Sequence, residues 1–117
     1  MNRRESESLR SRAEVFKALG HPTRLWIVER LADGACCVAD LAEGVDGGMS
    51  AVSQHLAQLR LAGIVRDERR GRQIWYSLTF PCVAEMAAML DGRETRRVTP
   101  FGRLRRALGV AAVAVGL

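Results

Sequence analysis

No apolar run in the chain approaches the ~18 residues that a membrane span requires, and Met1-Asn2-Arg3-Arg4-Glu5-Ser6 has no apolar stretch behind its charges. Neither a spanning helix nor an export signal is expected, so the sequence reads as cytoplasmic with no integral membrane association. Cysteine is scarce, and its count is odd: Cys36, Cys37 and Cys82. Without export features, three thiols argue against a disulfide scaffold and for reduced groups that bind metal or sense redox state. Histidine occurs only at His21 and His55, neither with a nucleophile and acid partner by motif. No phosphate-cradling glycine loop precedes a helix, so no enzyme is expected. Lysine is nearly missing: all of the 18 basic residues except Lys17 are arginine.

What remains is a chain of 117 residues, 48% hydrophobic, which bounds it to one domain with a modest core. The formal charge is +5 and the pI about 10.1. Arginine is the side chain best shaped for bidentate phosphate contact. Charge alone decides little, however, and the placement of the arginines has to carry the argument.

Leu9, Ala13, Phe16 and Leu19 share one face of a first amphipathic helix over Glu5 to Leu19, which Gly20 ends. Pro22 suits the first position of a second helix with core residues Leu25, Ile27, Val28 and Leu31, closed by Gly34. A short third helix is expected from Cys37 or Val38 to Gly44. Val45-Asp46-Gly47-Gly48 then turns the chain into a fourth helix. Ser50 is placed to cap that helix and Gly63 to end it, while Val52, Leu56 and Leu59 make its buried stripe. Its other face carries Ser53, Gln54, Ala57 and Gln58. Those side chains are small or hydrogen-bonding and uncharged, which suits base edges in a major groove, where glutamine can pair with adenine.

Two strand-like runs, Ile64 to Arg69 and Gln73 to Leu78, flank Arg70-Gly71-Arg72 and predict a β-hairpin with an arginine-rich tip. Pro81 opens a fifth helix whose stripe is Val83, Met86, Ala87 and Leu90. That stripe needs a partner, and the first and fifth helices are expected to pair across a two-fold axis in a homodimer, matching a palindromic site on double-stranded operator DNA. The domain therefore spans residues 5–92. Residues 93–117, first arginine-rich and then small and apolar, read as a flexible tail, an extra contact to DNA backbone, or a weak surface-associating helix.

The order of four helices, two strands and a helix is that of a winged helix-turn-helix, mainly α with a small β-hairpin. The local wording resembles the ArsR/SmtB repressors: Phe16-Lys17-Ala18-Leu19-Gly20-His21-Pro22-Thr23-Arg24-Leu25, Ser50-Ala51-Val52-Ser53-Gln54-His55-Leu56, Ala62-Gly63-Ile64-Val65, and Arg70-Gly71-Arg72 with Tyr76. The resemblance covers roughly residues 10 to 90. It implies a homodimeric cytoplasmic repressor that leaves its operator when a thiophilic ion or a thiol modification reaches its cysteines. It also implies that Ser53, Gln54 and His55 meet the major groove and that Arg69, Arg70 and Arg72 meet backbone or minor groove; Gln58, on the same helix face, and Ser50 at its start are further candidate DNA contacts. Ser50 is equally a helix cap, His55 could orient the helix instead, and Arg24 reads as an internal ion-pair residue.

Where this family often has Cys-Val-Cys-Asp-Leu, the chain has Cys36-Cys37-Val38-Ala39-Asp40-Leu41, one thiol having become Ala39. Cys82 follows Pro81, as in some relatives. All three thiols fall at expected helix starts, where the macrodipole favours thiolate. Arsenite or antimonite takes three sulfurs in a pyramid, whereas structural zinc wants four ligands; the fifth helix offers only Glu85 and Asp91 and no histidine, so zinc fits less well. A redox or persulfide switch linking Cys82 to Cys36 or Cys37 stays open, as do buried cysteines with no chemistry and a DNA-binding regulator that senses nothing. Outside DNA binding, a protein-interaction or membrane-surface adaptor stays open too.

Overall fold

The computed structural model describes residues 1–91. Helix α1, Arg3–Leu19, starts two residues before the expected Glu5 because Asn2 and Glu5 close a capping box: Glu5 N–H donates to Asn2 Oδ1 and Asn2 N–H to Glu5 Oε2, each at 2.9 Å. Helix α2, Pro22–Leu31, has its proline in the first turn as expected, and its cap is His21, whose Nδ1 accepts from Thr23 N–H at 3.1 Å. A two-residue strand β1, Cys36–Cys37, precedes α3, Val38–Ala42.

Helix α4, Gly48–Leu61, begins earlier than its sequence suggests. Gly47 occupies the cap position with φ +93°, a left-handed conformation costly for any residue with a Cβ. Ser50 thus lies inside the first turn, and its expected capping role is corrected. The C-terminal end is as anticipated: Gly63, at φ +78°, sends its N–H to Arg60 O, and Ile64 N–H reaches Leu59 O, both at 2.9 Å. This Schellman arrangement satisfies two of the last carbonyls.

Strands β2, Val65–Arg70, and β3, Gln73–Leu78, form the expected hairpin through Gly71 and Arg72, with Arg70 opposite Gln73. Positive φ is confined to Gly71 (+62°), the first turn residue, as in a II′ hairpin. A third strand was not expected. Cys36 pairs with Tyr76 and Cys37 with Trp75, so the sheet runs β1-β3-β2, all antiparallel, and β3 is its central strand. Helix α5, Cys82–Met89, follows Pro81.

The core gathers Ile27, Val28 and Leu31 of α2, Leu41 of α3, Val52, Leu56 and Leu59 of α4, Ile64, Val65 and Leu78 around the sheet, and Val83 and Ala84 of α5. Two sequence expectations fail at its margins. On α1 only Ala18 and Leu19 are buried, while Leu9 and Phe16 remain 46% and 61% exposed, because only the C-terminal end of the helix reaches the core. Leu90, assigned to the α5 stripe, lies past the helix end and is 82% exposed. The tail from residue 93, and Gly92 before it, lie outside the described residues.

Candidate nucleic-acid interface and thiols

Burial of Val52, Leu56 and Leu59, each fully enclosed, fixes the rotation of α4. Its opposite face then presents Ser50, Ser53, Gln54, Ala57 and Gln58 to solvent. His55 sits at the boundary and is half-buried. Arg24 Nε donates to its Nδ1 at 3.3 Å, and its ring lies 4.5 Å from that of His21, tilted by 50°. Arg24 also donates through Nη1 to Ala18 O at 3.3 Å. One guanidinium thus ties the end of α1 and the start of α2 to the middle of α4. Its described partners are a ring nitrogen and a carbonyl rather than a carboxylate, which corrects the ion-pair reading of Arg24.

That bond needs a lone pair on Nδ1 and therefore a neutral imidazole. The surroundings favour this form: burial, then the charges of His21 and Arg24, push the His55 pKa below its ordinary value.

Arg69, Arg70 and Arg72 are all exposed on the hairpin. Arg69 Nε donates to Gly71 O at 3.3 Å, while Arg70 pairs with Glu68 at 3.3 Å and lies over the Trp75 ring, 4.9 Å from its centre. At the base of the hairpin, Arg60 of α4 pairs with Asp67 of β2 at 3.4 Å. The hairpin is thereby linked to the last turn of α4.

The thiols do not converge. Adjacent residues of a strand project to opposite faces, and accordingly Cys37 is buried while Cys36 is half-buried. Cys36 lies in β1 rather than at a helix start, and its Sγ donates to Gly34 O at 3.7 Å. Burial first, then Asp40, Cys37 and Asp33, outweigh the lowering by Arg30 and push its thiol pKa up, so the expected thiolate character is corrected for this residue. Cys37 is the cap residue of α3, without a side-chain capping bond, and Cys82 is exposed as the first residue of α5. Among the described residues no three His, Cys, Asp or Glu side chains are grouped so as to hold a metal ion. Cys36 opens instead into a cleft of about 350 Å³ with Trp26, Arg30, Asp40, Glu43 and Gly44.

Residues 21–67, from α2 into β2, match the family described as bacterial regulatory protein, arsR family. The chain is 37% identical over 79 residues to the arsenical resistance operon repressor of Escherichia coli, covering 67% of this chain and 68% of the relative. The chain belongs to the ArsR family. It is also 40% identical over 82 residues to the transcriptional regulator NmtR of Mycobacterium tuberculosis, covering 70% of this chain and 68% of that one. The homodimeric winged helix-turn-helix DNA-binding domain of Mb0332 from Mycobacterium bovis superposes with a TM-score of 0.71 at 27% identity, covering 82% of this chain and 89% of that one. This ArsR-family chain is accordingly a DNA-binding transcriptional repressor and not an enzyme.

Sequence reasoning missed four participants in this ArsR-family site. His21 caps α2 through its ring, Glu68 and Trp75 hold Arg70, and β1 joins the cysteine pair to the wing. Only the aromatic and acidic residues near the arginine tip left a local signal, since Glu68 and Trp75 are within a few positions of it.

Proposed function

We propose that this repressor reads its operator as a homodimer in the cytoplasm, with Ser50, Ser53, Gln54 and Gln58 toward the major groove and Arg69, Arg70 and Arg72 on backbone or minor groove. His55 acts mainly by orienting α4. The observation that carries this reading is the uncharged, hydrogen-bonding face of α4, held beside an arginine hairpin by the Arg60–Asp67 pair. Half-site spacing of about 10 base pairs suits a two-fold dimer.

The proposed inducer is trivalent arsenic or antimony, bound through Cys36, Cys37 and Cys82. Three thiols would condense with arsenious acid, replacing three hydroxides and releasing three waters. The name of the E. coli relative and the presence of three cysteines support this choice over zinc, which needs a fourth ligand. Because Cys36 and Cys37 leave opposite faces of β1, the ion would favour a rearranged β1. That strand pairs with β3 of the wing and leads into α3, which packs on α4. A ligand that prefers the rearranged form shifts the protein away from the DNA-bound form, with a coupling of ~1–3 kcal/mol.

A second reading is favoured by thiol exposure: Cys36 and Cys82 are the two with solvent access, and an oxidant needs only two thiols to form a disulfide. Anisotropy of a labelled operator fragment separates the readings. Release at stoichiometric arsenite by the native chain but not by Cys82→Ser supports the metalloid site. Retention with arsenite and release by hydrogen peroxide moves the reading to a thiol switch, and retention with both makes the chain a regulator that does not sense through its cysteines.

A further inference from the structure

Arg70 stands apart from the other arginines of the wing. Directly opposed residues of an antiparallel pair project to the same face. Glu68 opposes Trp75 and Arg70 opposes Gln73, so Glu68, Arg70 and Trp75 share one face of the hairpin. The Arg70 guanidinium is folded back from the Gly71-Arg72 tip onto the Trp75 ring, 4.9 Å from its centre, with Nη2 3.3 Å from Glu68 Oε2. Arg69, by contrast, projects from the other face and donates to Gly71 O at the tip, and Arg72 occupies the turn itself.

We propose that Glu68 and Trp75 form a mask over Arg70 that sets how strongly the wing binds DNA of unrelated sequence. A carboxylate and a phosphate compete for the same guanidinium fork. In the free protein Glu68 takes one nitrogen of that fork, Nη2, and the centre of the Trp75 ring lies 4.9 Å from the guanidinium carbon on the flank of the hairpin. A phosphate gains the whole fork of Arg70 only by displacing Glu68. An operator on which α4 is seated holds a phosphate there long enough to do so, whereas unrelated duplex presents its phosphates at random register. The pair is exposed, with side chains 50% and 69% accessible, so it is weak enough to be exchanged. Glu68 and Trp75 are then specificity-determining positioning residues, a role that rests on the reading that the wing meets the DNA backbone.

The test is a double-mutant cycle on the full chain, measuring Kd for an operator fragment and for an unrelated duplex across a salt series. Glu68→Gln is expected to tighten unrelated DNA about threefold and to steepen its salt slope by about one unit, with a smaller change on the operator. In the Arg70→Gln background the same substitution is expected to do nothing. Trp75→Phe, which keeps a ring, should behave as native, whereas Trp75→Leu should tighten unrelated DNA. A gain from Glu68→Gln that persists without Arg70 would reduce the effect to loss of a negative charge and overturn the mask, as would no gain at all. Arg72→Gln lies outside the mask and tests the underlying reading. If it weakens operator binding while Glu68→Gln does nothing, the mask alone fails; if Arg70→Gln and Arg72→Gln are both silent, the wing reading fails and the mask with it.

Discussion

The polar side chains of this protein act through the state of single atoms, and His55 is the clearest case. Its Nδ1 accepts from Arg24, and protonation would replace that bond with a cation between His21 and Arg24. Because its folded pKa lies below the ordinary 6.5, the unfolded chain binds more protons than the folded one between those two values. Stability is therefore full above about pH 7 and falls as the pH drops through 6.5 toward the folded value. Urea midpoints from pH 8 to 5 should show this fall, and His55→Gln, which cannot titrate, should flatten it; an equally steep fall in the variant would place the titration elsewhere. Arg24→Ala should cost about 1–3 kcal/mol at pH 7.5, the range for a charged hydrogen-bond donor at a partly buried site. The thiols differ in the same atomistic way. Cys82 is exposed, while Cys36 is half-buried with its pKa raised. Iodoacetamide at pH 7.5 should label Cys82 first by mass spectrometry, and faster labelling of Cys36 would contradict the described environment.

At the scale of elements, glycines decide where helices stop and how closely they approach. A methyl group at Gly44 would lie 2.5 Å from Trp26 Cη2 and Cζ2, so Gly44→Ala forces the end of α3 away from α2. A destabilisation of about 1–3 kcal/mol is expected, read as a lower urea midpoint at unchanged slope. A change near zero would mean that Trp26 swings aside freely. The same punctuation explains what could be read in advance. Gly63, Pro22 and the Gly71 turn are local signals, and the end of α4, the start of α2 and the tip of the hairpin that they mark lie where they were expected. The α4 face was legible because a 3.6-residue period needs no knowledge of partners. Strand β1 was not legible: two residues carry no period, and its partners Trp75 and Tyr76 lie far along the chain. The failure spread from there to the cysteines, whose divergence follows from being in a strand rather than at a helix start. The Arg24–His55 bond, between residues 31 positions apart, was hidden for the same non-local reason.

For the whole molecule, the uncovered apolar residues point beyond a single chain. Helix α1 is 17 residues long, about 26 Å, yet only Ala18 and Leu19 near its end are buried. Leu9 and Phe16 on α1 and Met89 and Leu90 at the end of α5 stay 44% or more exposed. A helix whose N-terminal half is left exposed among the described residues is marginal in water, so a second copy that covers α1 would stabilise it and recover the hydrophobic free energy of these side chains. The M. bovis neighbour, itself homodimeric, shares this architecture. Phe16→Glu is therefore expected to shift sedimentation from dimer to monomer. Operator affinity should fall by about 10²-fold or more, because two linked reading helices bind far more tightly than one. Affinity for an isolated half-site should change little, since Phe16 is distant in sequence from α4 and exposed in the single chain. If Phe16→Glu remains a dimer and keeps operator affinity, pairing runs through another surface. If instead half-site and full-site binding fall together, the substitution has damaged the fold of α1 against α4, and the Arg24 bridge between them becomes the place to look.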